Sequence, residues 1–171
     1  MQAQKKLLRW TSQNKNSKLG LFSFGPPKHD LFTEEEKKQI VEAIREQEKR
    51  TSGEIRVFVE KKCKYVDPVD RAREVFMGLE MEHTAHRNGV LIYVAYKDRQ
   101  LAIFGDEGIY RDLGEQFWHA EVAKMIGEFT EHHFAEGIID IIQDIGSALI
   151  NHFPYDSTDK NELPDDIVFG D

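Results

Sequence analysis

The alternation of hydrophobic and polar residues divides the middle of the chain into strands. Residues 54–60 are rich in β-branched and aromatic side chains and alternate with a period of two, which predicts a strand. Residues 90–96 form an unbroken apolar run, typical of a strand that is buried on both faces. The charged turn at 97–100 leads into the apolar run 101–104, which predicts an antiparallel hairpin partner.

Four other segments carry apolar residues at helical spacing. The first follows Thr33, and Glu36 three residues later completes a capping box that marks a helix start. The second begins at Pro68, a residue that suits the first turn of a helix, and lies between the first two strands. The last two helices are predicted at about residues 115–130 and 134–151.

The order of these elements defines the fold class. A strand, a crossover helix and a second strand form a right-handed βαβ unit with parallel strands, and the third strand adds an antiparallel hairpin. With the remaining helices, the order α-β-α-β-β-α-α predicts a small mixed sheet that is covered by helices on both faces. The predicted class is therefore α/β, a three-layer α/β/α sandwich.

Charge is distributed unevenly over the 171 residues. The net charge of −8 argues against a nucleic-acid binder and favours cations, or ligands that carry cations, as partners. Residues 1–30 form a basic N-terminal extension and residues 154–171 form an acidic C-terminal tail; such biased ends are typically mobile or loosely docked. One domain is therefore expected over residues 31–153.

The sequence carries no signal for export or membrane insertion. Cys63 is the only cysteine, so no intramolecular disulfide can form. The N-terminus lacks an apolar stretch long enough for a signal peptide, and no window approaches the length of a membrane span. We therefore expect a cytoplasmic protein without a transmembrane segment of its own.

Polar residues gather at the end of the sheet where the two parallel strands begin. Because the third strand runs backwards, its exit at 105–108, Gly-Asp-Glu-Gly, lies beside those strand starts. This topology brings Asp106 and Glu107 towards Glu54 and Arg87. Carboxylate oxygens are the ligands that Mg²⁺ and Ca²⁺ prefer, so Asp106, Glu107 and Glu54 form the first predicted metal set. Arg87, or alternatively Arg56, is the phosphate-binding candidate at this end.

A second acidic set lies at the opposite end of the sheet, beyond the carboxyl ends of the parallel strands. Asp67, Asp70 and Asp98 belong to the loops there, and Arg99 is the phosphate-binding candidate. Open α/β sheets usually bind ligands at that end. Both ends are thus open as Mg²⁺ or Ca²⁺ sites, and paired or solvated acids in turns account for the same residues.

Glu48 is an anomaly on the first predicted helix. It continues the apolar stripe that contains Ile40 and Ile44, where a carboxylate is unexpected. Two roles are open for it: metal ligation beside the first acidic set, or an ion pair with Arg56 or Arg87.

Common catalytic motifs do not match. The sequence has no glycine-rich dinucleotide loop, Walker loop or serine-hydrolase elbow. His83 and His86 lack the HExxH arrangement of zinc peptidases, and no histidine is placed by the sequence as a partner for Cys63.

Four segments in a fixed order carry a resemblance to a known family: TSGEIRVFV (51–59), RNGVLIYVAYKDRQLAIFGDEGI (87–109), FW (117–118) and FAEGIIDIIQDIGSAL (134–149). Over about residues 32–153 the chain resembles the TPM domain, which is found in thylakoid photosystem-repair proteins and many bacterial proteins. The C-terminal phrase HFPYDSTDKNELPDDI is similar to the stand-alone subgroup, which is made without a secretion signal or membrane helix.

The resemblance implies a Rossmann-like arrangement of the sandwich, binding of Ca²⁺ or Mg²⁺ and, for some members, metal-dependent acid phosphatase activity. Other members are described as assembly or repair factors. The predicted function is a divalent-metal-binding domain that hydrolyses phosphate monoesters. One alternative is a non-catalytic Ca²⁺- or Mg²⁺-binding interaction module that assists assembly or maintenance of a membrane protein complex. Another is a phospho-ligand or nucleotide sensor that binds without turnover.

Overall fold

A computed structural model of the protein describes residues 31–130, 133–158 and 160–170. In chain order the elements are α1 (Glu34–Glu48), β1 (Glu54–Glu60), α2 (Pro68–Gly78), β2 (Gly89–Ala95), β3 (Gln100–Gly105), α3 (Glu107–Thr130), α4 (Phe134–His152) and β4 (Ile167–Phe169). A short 3₁₀ turn, Met81–His83, separates α2 from β2.

The sheet is mixed, with the strand order β3-β2-β1-β4. β1 runs parallel to both β2 and β4, whereas β2 and β3 form an antiparallel hairpin. Every residue of β1, β2 and β3 is buried, as expected for strands that are covered on both faces. The predicted parallel β1–β2 pair, its helical crossover and the hairpin are confirmed.

Helices cover both faces of the sheet, as two neighbouring residues of β3 demonstrate. Phe104 packs against Phe76 of α2, with ring centroids 5.0 Å apart, whereas the next residue, Gly105, lies against Trp118 of α3. Consecutive strand residues point to opposite faces, so α2 and α3 lie on opposite sides. α4 packs against both α1 and α3. The predicted α/β/α sandwich is confirmed.

The helix starts follow local sequence signals. The Thr33 side chain accepts the Glu36 amide while the Glu36 carboxylate accepts the Thr33 amide, so the predicted capping box is formed. Pro68 opens α2 as predicted. α3 begins at Glu107, earlier than predicted, and is interrupted at Gly114, where φ is 75°. The predicted helix at about 115–130 therefore corresponds to the segment of α3 after this break.

The C-terminal segment adds a strand that was not predicted. β4 pairs with β1 through Val57, Phe58 and Val59, and Asp166 just before it forms a 2.8 Å ion pair with Arg56. This pairing places the acidic residues before β4 along the edge of the domain. The basic extension predicted at residues 1–30 lies outside the described residues. No helix in the described ranges is long and apolar enough to cross a membrane.

Candidate functional site

Asp106 is used by the fold itself. It follows β3 directly, and the Arg87 guanidinium donates two hydrogen bonds to its carboxylate, at 2.7 and 2.8 Å. The Glu107 amide donates a third, at 2.7 Å, so Asp106 also stabilises the start of α3. The hydrogen bond that Arg87 donates to Asp106 raises the pKa of the Arg87 guanidinium. The topology does bring Asp106 and Arg87 together as predicted, but each satisfies the other.

The two glycines of the Gly-Asp-Glu-Gly segment are explained by close packing. A Cβ atom on Gly108 would lie 2.6 Å from the His86 carbonyl oxygen, and one on Gly105 would lie 2.8 Å from the Trp118 ring. Both distances are too short for a side chain. Glu107, between them, is exposed in the first turn of α3. This segment therefore serves a backbone junction.

A different group of carboxylates meets where α1 ends, β1 begins and the C-terminal segment passes. Glu48, Glu54 and Asp165 line a cleft of about 310 Å³, together with Arg45, Lys49 and Tyr155. We call this the acidic cleft. Its volume lies at the lower end of the range of small-molecule sites. Of the two predicted metal sets, only Glu54 lines this cleft, and it is joined by Glu48, for which metal ligation was one of two open roles.

Glu48 has the most unusual environment in the acidic cleft. Its Oε1 accepts the Ile55 amide at 2.8 Å, whereas its Oε2 is buried and has no hydrogen-bond partner among the described residues. Burial, and after it the neighbouring Asp165 carboxylate, raises the pKa of Glu48 to about 9. A carboxyl group held in this way is either protonated or neutralised by a bound cation.

The other two carboxylates of the acidic cleft are anchored by the C-terminal segment. Glu54 is 4% exposed and accepts the Glu162 amide at 2.9 Å. Asp165 accepts the Asn161 side-chain amide at 2.6 Å and lies 3.6 Å from the Arg45 guanidinium. The residues before β4 therefore form one wall of the acidic cleft.

The second predicted metal set is divided between separate structural roles. Asp67 accepts the Val69 amide at 2.9 Å and caps α2, whereas Asp98 accepts the Cys63 amide at 2.8 Å. Asp70 is exposed on α2, and Arg99 is exposed in the hairpin turn. These residues share one end of the sheet, but they do not converge on a common point.

A buried ion pair connects the end of β1 to α2. Glu60 is 1% exposed and receives two hydrogen bonds from Arg71, each at 2.9 Å, and one from the Tyr93 hydroxyl. Burial by itself raises the pKa of Glu60, but the bonds from Arg71 and Tyr93 outweigh it and the pKa is lowered. Because both carboxylate oxygens are occupied, this pair is structural. No sequence pattern predicts this pair.

The acidic cleft brings the unpartnered oxygen of Glu48 into a solvent-open cleft with two further carboxylates, Glu54 and Asp165. Within the described ranges, no three His, Cys, Asp or Glu side chains are arranged closely enough to hold a metal ion as they stand. Donor chemistry nevertheless fits a hard cation, because Glu48 has an unpartnered buried oxygen and its carboxyl group neighbours the Asp165 carboxylate. The sequence marked Glu48 as anomalous; Asp165 carried no comparable signal because its docking depends on β4.

Comparison with known proteins supports the family resemblance. A family model of the TPM domain matches residues 28–148. The BA42 protein from the psychrophilic bacterium Bizionia argentinensis has a sequence 43% identical to this chain, and its NMR structure matches the fold with a TM-score of 0.77. The similarity covers 84% of this chain and 98% of that one.

A more distant structure shares the fold. The N-terminal domain of the cg2496 protein from Corynebacterium glutamicum is 12% identical, with a TM-score of 0.52 over 85% of this chain and 88% of that one. No protein with a curated description matches significantly. The family match and the 43% identity over most of both chains establish that this chain belongs to the TPM domain family.

Proposed function

We propose that the chain binds a divalent cation, Ca²⁺ or Mg²⁺, in the acidic cleft and hydrolyses phosphate monoesters there. The observation that carries this proposal is the buried Glu48 Oε2, which accepts no hydrogen bond among the described residues and belongs to a carboxyl group that neighbours Asp165 in a cleft open to solvent. The matching family model is also named for a phosphatase.

The residues of the acidic cleft divide into two chemical classes. Glu48 and Asp165 would hold the cation, with Glu54 beside them, because they supply carboxylate oxygens from three different parts of the chain. Bound there, the cation would supply Lewis-acid assistance to phosphoryl transfer to water. Loss of the proton from Glu48 accompanies binding, so cation affinity should rise with pH.

Two cationic side chains of the same cleft suit the phosphate group. Arg45 lies in the last turn of α1 and Lys49 is the C-cap residue of that helix, and both line the cleft. A guanidinium binds two phosphate oxygens at once, and an ammonium adds a point charge. Arg45 is already adjacent to Asp165, at 3.6 Å, so it can orient a phosphate next to the cation-binding oxygens. These bases replace Arg87 and Arg99 as the proposed phosphate-binding residues.

Hydrolysis of a chromogenic aryl phosphate tests the proposal. The wild type should turn over with Mg²⁺ or Ca²⁺ and lose activity in EDTA. Glu48→Gln and Asp165→Asn should each lower the rate by about a hundredfold or more. Glu42→Gln, the same change at an exposed position of the same helix, is the control and should retain full activity.

The outcomes separate this function from its alternative. Activity that is indifferent to EDTA and to both cleft substitutions would refute the proposed site. Thermal stabilisation by Ca²⁺ without turnover would instead favour a non-catalytic interaction module, since a ligand that binds only the folded state raises the melting temperature.

A further inference from the structure

The end of the sheet opposite the acidic cleft is formed by two loops that contact each other. Residues 61–66 follow β1, and the hairpin turn at 97–99 joins β2 to β3. The Lys97 amide donates a hydrogen bond to the Lys61 carbonyl at 2.9 Å. The two loops therefore form one continuous surface, which we call the basic end.

Basic side chains dominate this surface. It carries five bases: Lys61, Lys62, Lys64, Lys97 and Arg99. All five are exposed, and none forms an ion pair with another residue in the described part of the chain. Three acids are nearby, Asp67, Asp70 and Asp98, and two of them accept backbone hydrogen bonds, so the five bases still outnumber the acids. In a chain with a net charge of −8, this local excess of bases fits an anionic partner.

Two apolar side chains protrude from the basic end. Tyr65 is 42% exposed, and Val66, at 79%, is the most exposed of the large hydrophobic residues described. Both follow directly on the lysine-rich segment 61–64. Bases around a protruding aromatic and an aliphatic side chain are typical of surfaces that insert into the headgroup region of a membrane.

We propose that the basic end binds the surface of an anionic lipid bilayer. Four of the five bases are lysines. A lysine ammonium is a point charge on a flexible stem, so it binds a diffuse layer of headgroup charges more readily than it binds a carboxylate in one fixed geometry. The interaction sums over the bases, since each Lys or Arg near an anionic surface contributes to binding. Tyr65 and Val66 add apolar contact at the interface.

The overall negative charge does not prevent this mode of binding. β1 has seven residues and spans roughly 20 Å between the acidic cleft at its start and the basic end. That distance is more than twice the Debye length of about 8 Å at physiological ionic strength. The carboxylates of the acidic cleft are thus screened from the membrane, and the cleft faces away from it. The proposal does not depend on the function assigned to the cleft.

Co-flotation with vesicles tests the proposal on the intact chain. Vesicles of phosphatidylcholine containing phosphatidylglycerol should retain the wild type at low salt, whereas pure phosphatidylcholine vesicles should not. Lys62→Glu/Lys64→Glu should weaken the apparent affinity by about thirtyfold or more. Tyr65→Ser/Val66→Ser should also weaken it, and the loss should persist when salt is varied. These positions are exposed, so the variants should keep the far-UV circular dichroism of the wild type.

A charge-matched control distinguishes the basic end from general electrostatics. Arg50→Glu/Arg111→Glu makes the same change of net charge at exposed positions away from the basic end and should alter the affinity by less than about threefold. Residues 1–30 carry bases of their own, so the difference between the two double variants is the decisive result. Equal losses in both, or equal binding to neutral and anionic vesicles, would overturn the proposal. Preferential binding to polyglutamate, lost in Lys62→Glu/Lys64→Glu, would also overturn it in favour of an acidic protein partner.

Discussion

Replacing Glu48 with glutamine should stabilise the protein, and by an amount that grows with pH. Glutamine keeps the shape of the side chain and an oxygen that can accept the Ile55 amide, but it cannot ionise. The wild-type carboxyl group is buried beside Asp165, which disfavours its charged form. The substitution therefore removes the cost of keeping a buried acid protonated at a pH where the unfolded chain would ionise it.

The magnitude follows from the pKa difference between the two states. Burial and the Asp165 carboxylate raise the pKa of Glu48 from 4.5 to about 9 in the folded protein. Above pH 4.5 the unfolded chain releases a proton that the folded chain retains, so the free energy of unfolding falls by about 1.4 kcal/mol per pH unit. This contribution is complete below pH 4.5 and disappears as the pH rises through the folded-state value. From pH 5 to pH 7 the wild type should lose about 3 kcal/mol relative to Glu48→Gln.

Urea denaturation in EDTA at pH 5, 6 and 7 measures this difference. Glu42→Gln serves as the control, because it makes the same chemical change at an exposed position of α1. The stability advantage of Glu48→Gln should widen steadily with pH, whereas the control should run parallel to the wild type. If all three proteins show the same pH dependence, Glu48 is not a buried neutral acid and the reasoning fails.

Three further substitutions test structural roles, each by urea denaturation. Asp106→Ala should lower the free energy of unfolding by about 2 kcal/mol, because it removes two hydrogen bonds from Arg87 and one from the Glu107 amide at the start of α3. Its Ca²⁺ affinity should equal that of the wild type, and a loss of affinity would restore Asp106 as a ligand. Gly108→Ala should cost about 2 kcal/mol or more through its clash with backbone carbonyl oxygens, and wild-type stability would contradict the packing described. Tyr93→Phe should cost about 1 to 2 kcal/mol by removing a buried hydrogen bond to Glu60, and a neutral effect would show that Arg71 alone satisfies Glu60.

The centre of the fold was predictable because local signals and burial agree there. The apolar run in β2 leaves no polar face, so only a strand covered on both sides accommodates it. The capping box at Thr33 and the proline at position 68 mark helix starts through local chemistry alone. The short turn between β2 and β3 then forces an antiparallel hairpin.

β4 and the site that depends on it were not predictable in the same way. Three residues, Ile167–Phe169, are too few to show a period, and the surrounding acids indicate a solvated tail. The strand exists because β1 offers an open edge and Arg56 attracts Asp166. Asp165 reaches the acidic cleft only through that docking, so no pattern local to it signals a ligand.

Asp106 shows the opposite difficulty. The topology correctly placed it beside Arg87, but spacing cannot distinguish a saturated ion pair from a metal ligand. Glu48, in contrast, was detectable from the sequence because a carboxylate interrupted an apolar stripe. A residue that violates its local pattern was the better guide to candidate chemistry than acids at a turn.

The central claim is that the acidic cleft is the cation site, and backbone amide chemical shifts during a Ca²⁺ titration test it most directly. The largest shifts should fall at residues 47–55 and 161–166, and Glu48→Gln should abolish them while Glu42→Gln preserves them. Shifts concentrated at 105–109 would place the cation at the junction of β3 and α3, and shifts at 63–70 with 97–99 would place it at the opposite end of the sheet. Unchanged spectra at millimolar Ca²⁺ would contradict cation binding altogether.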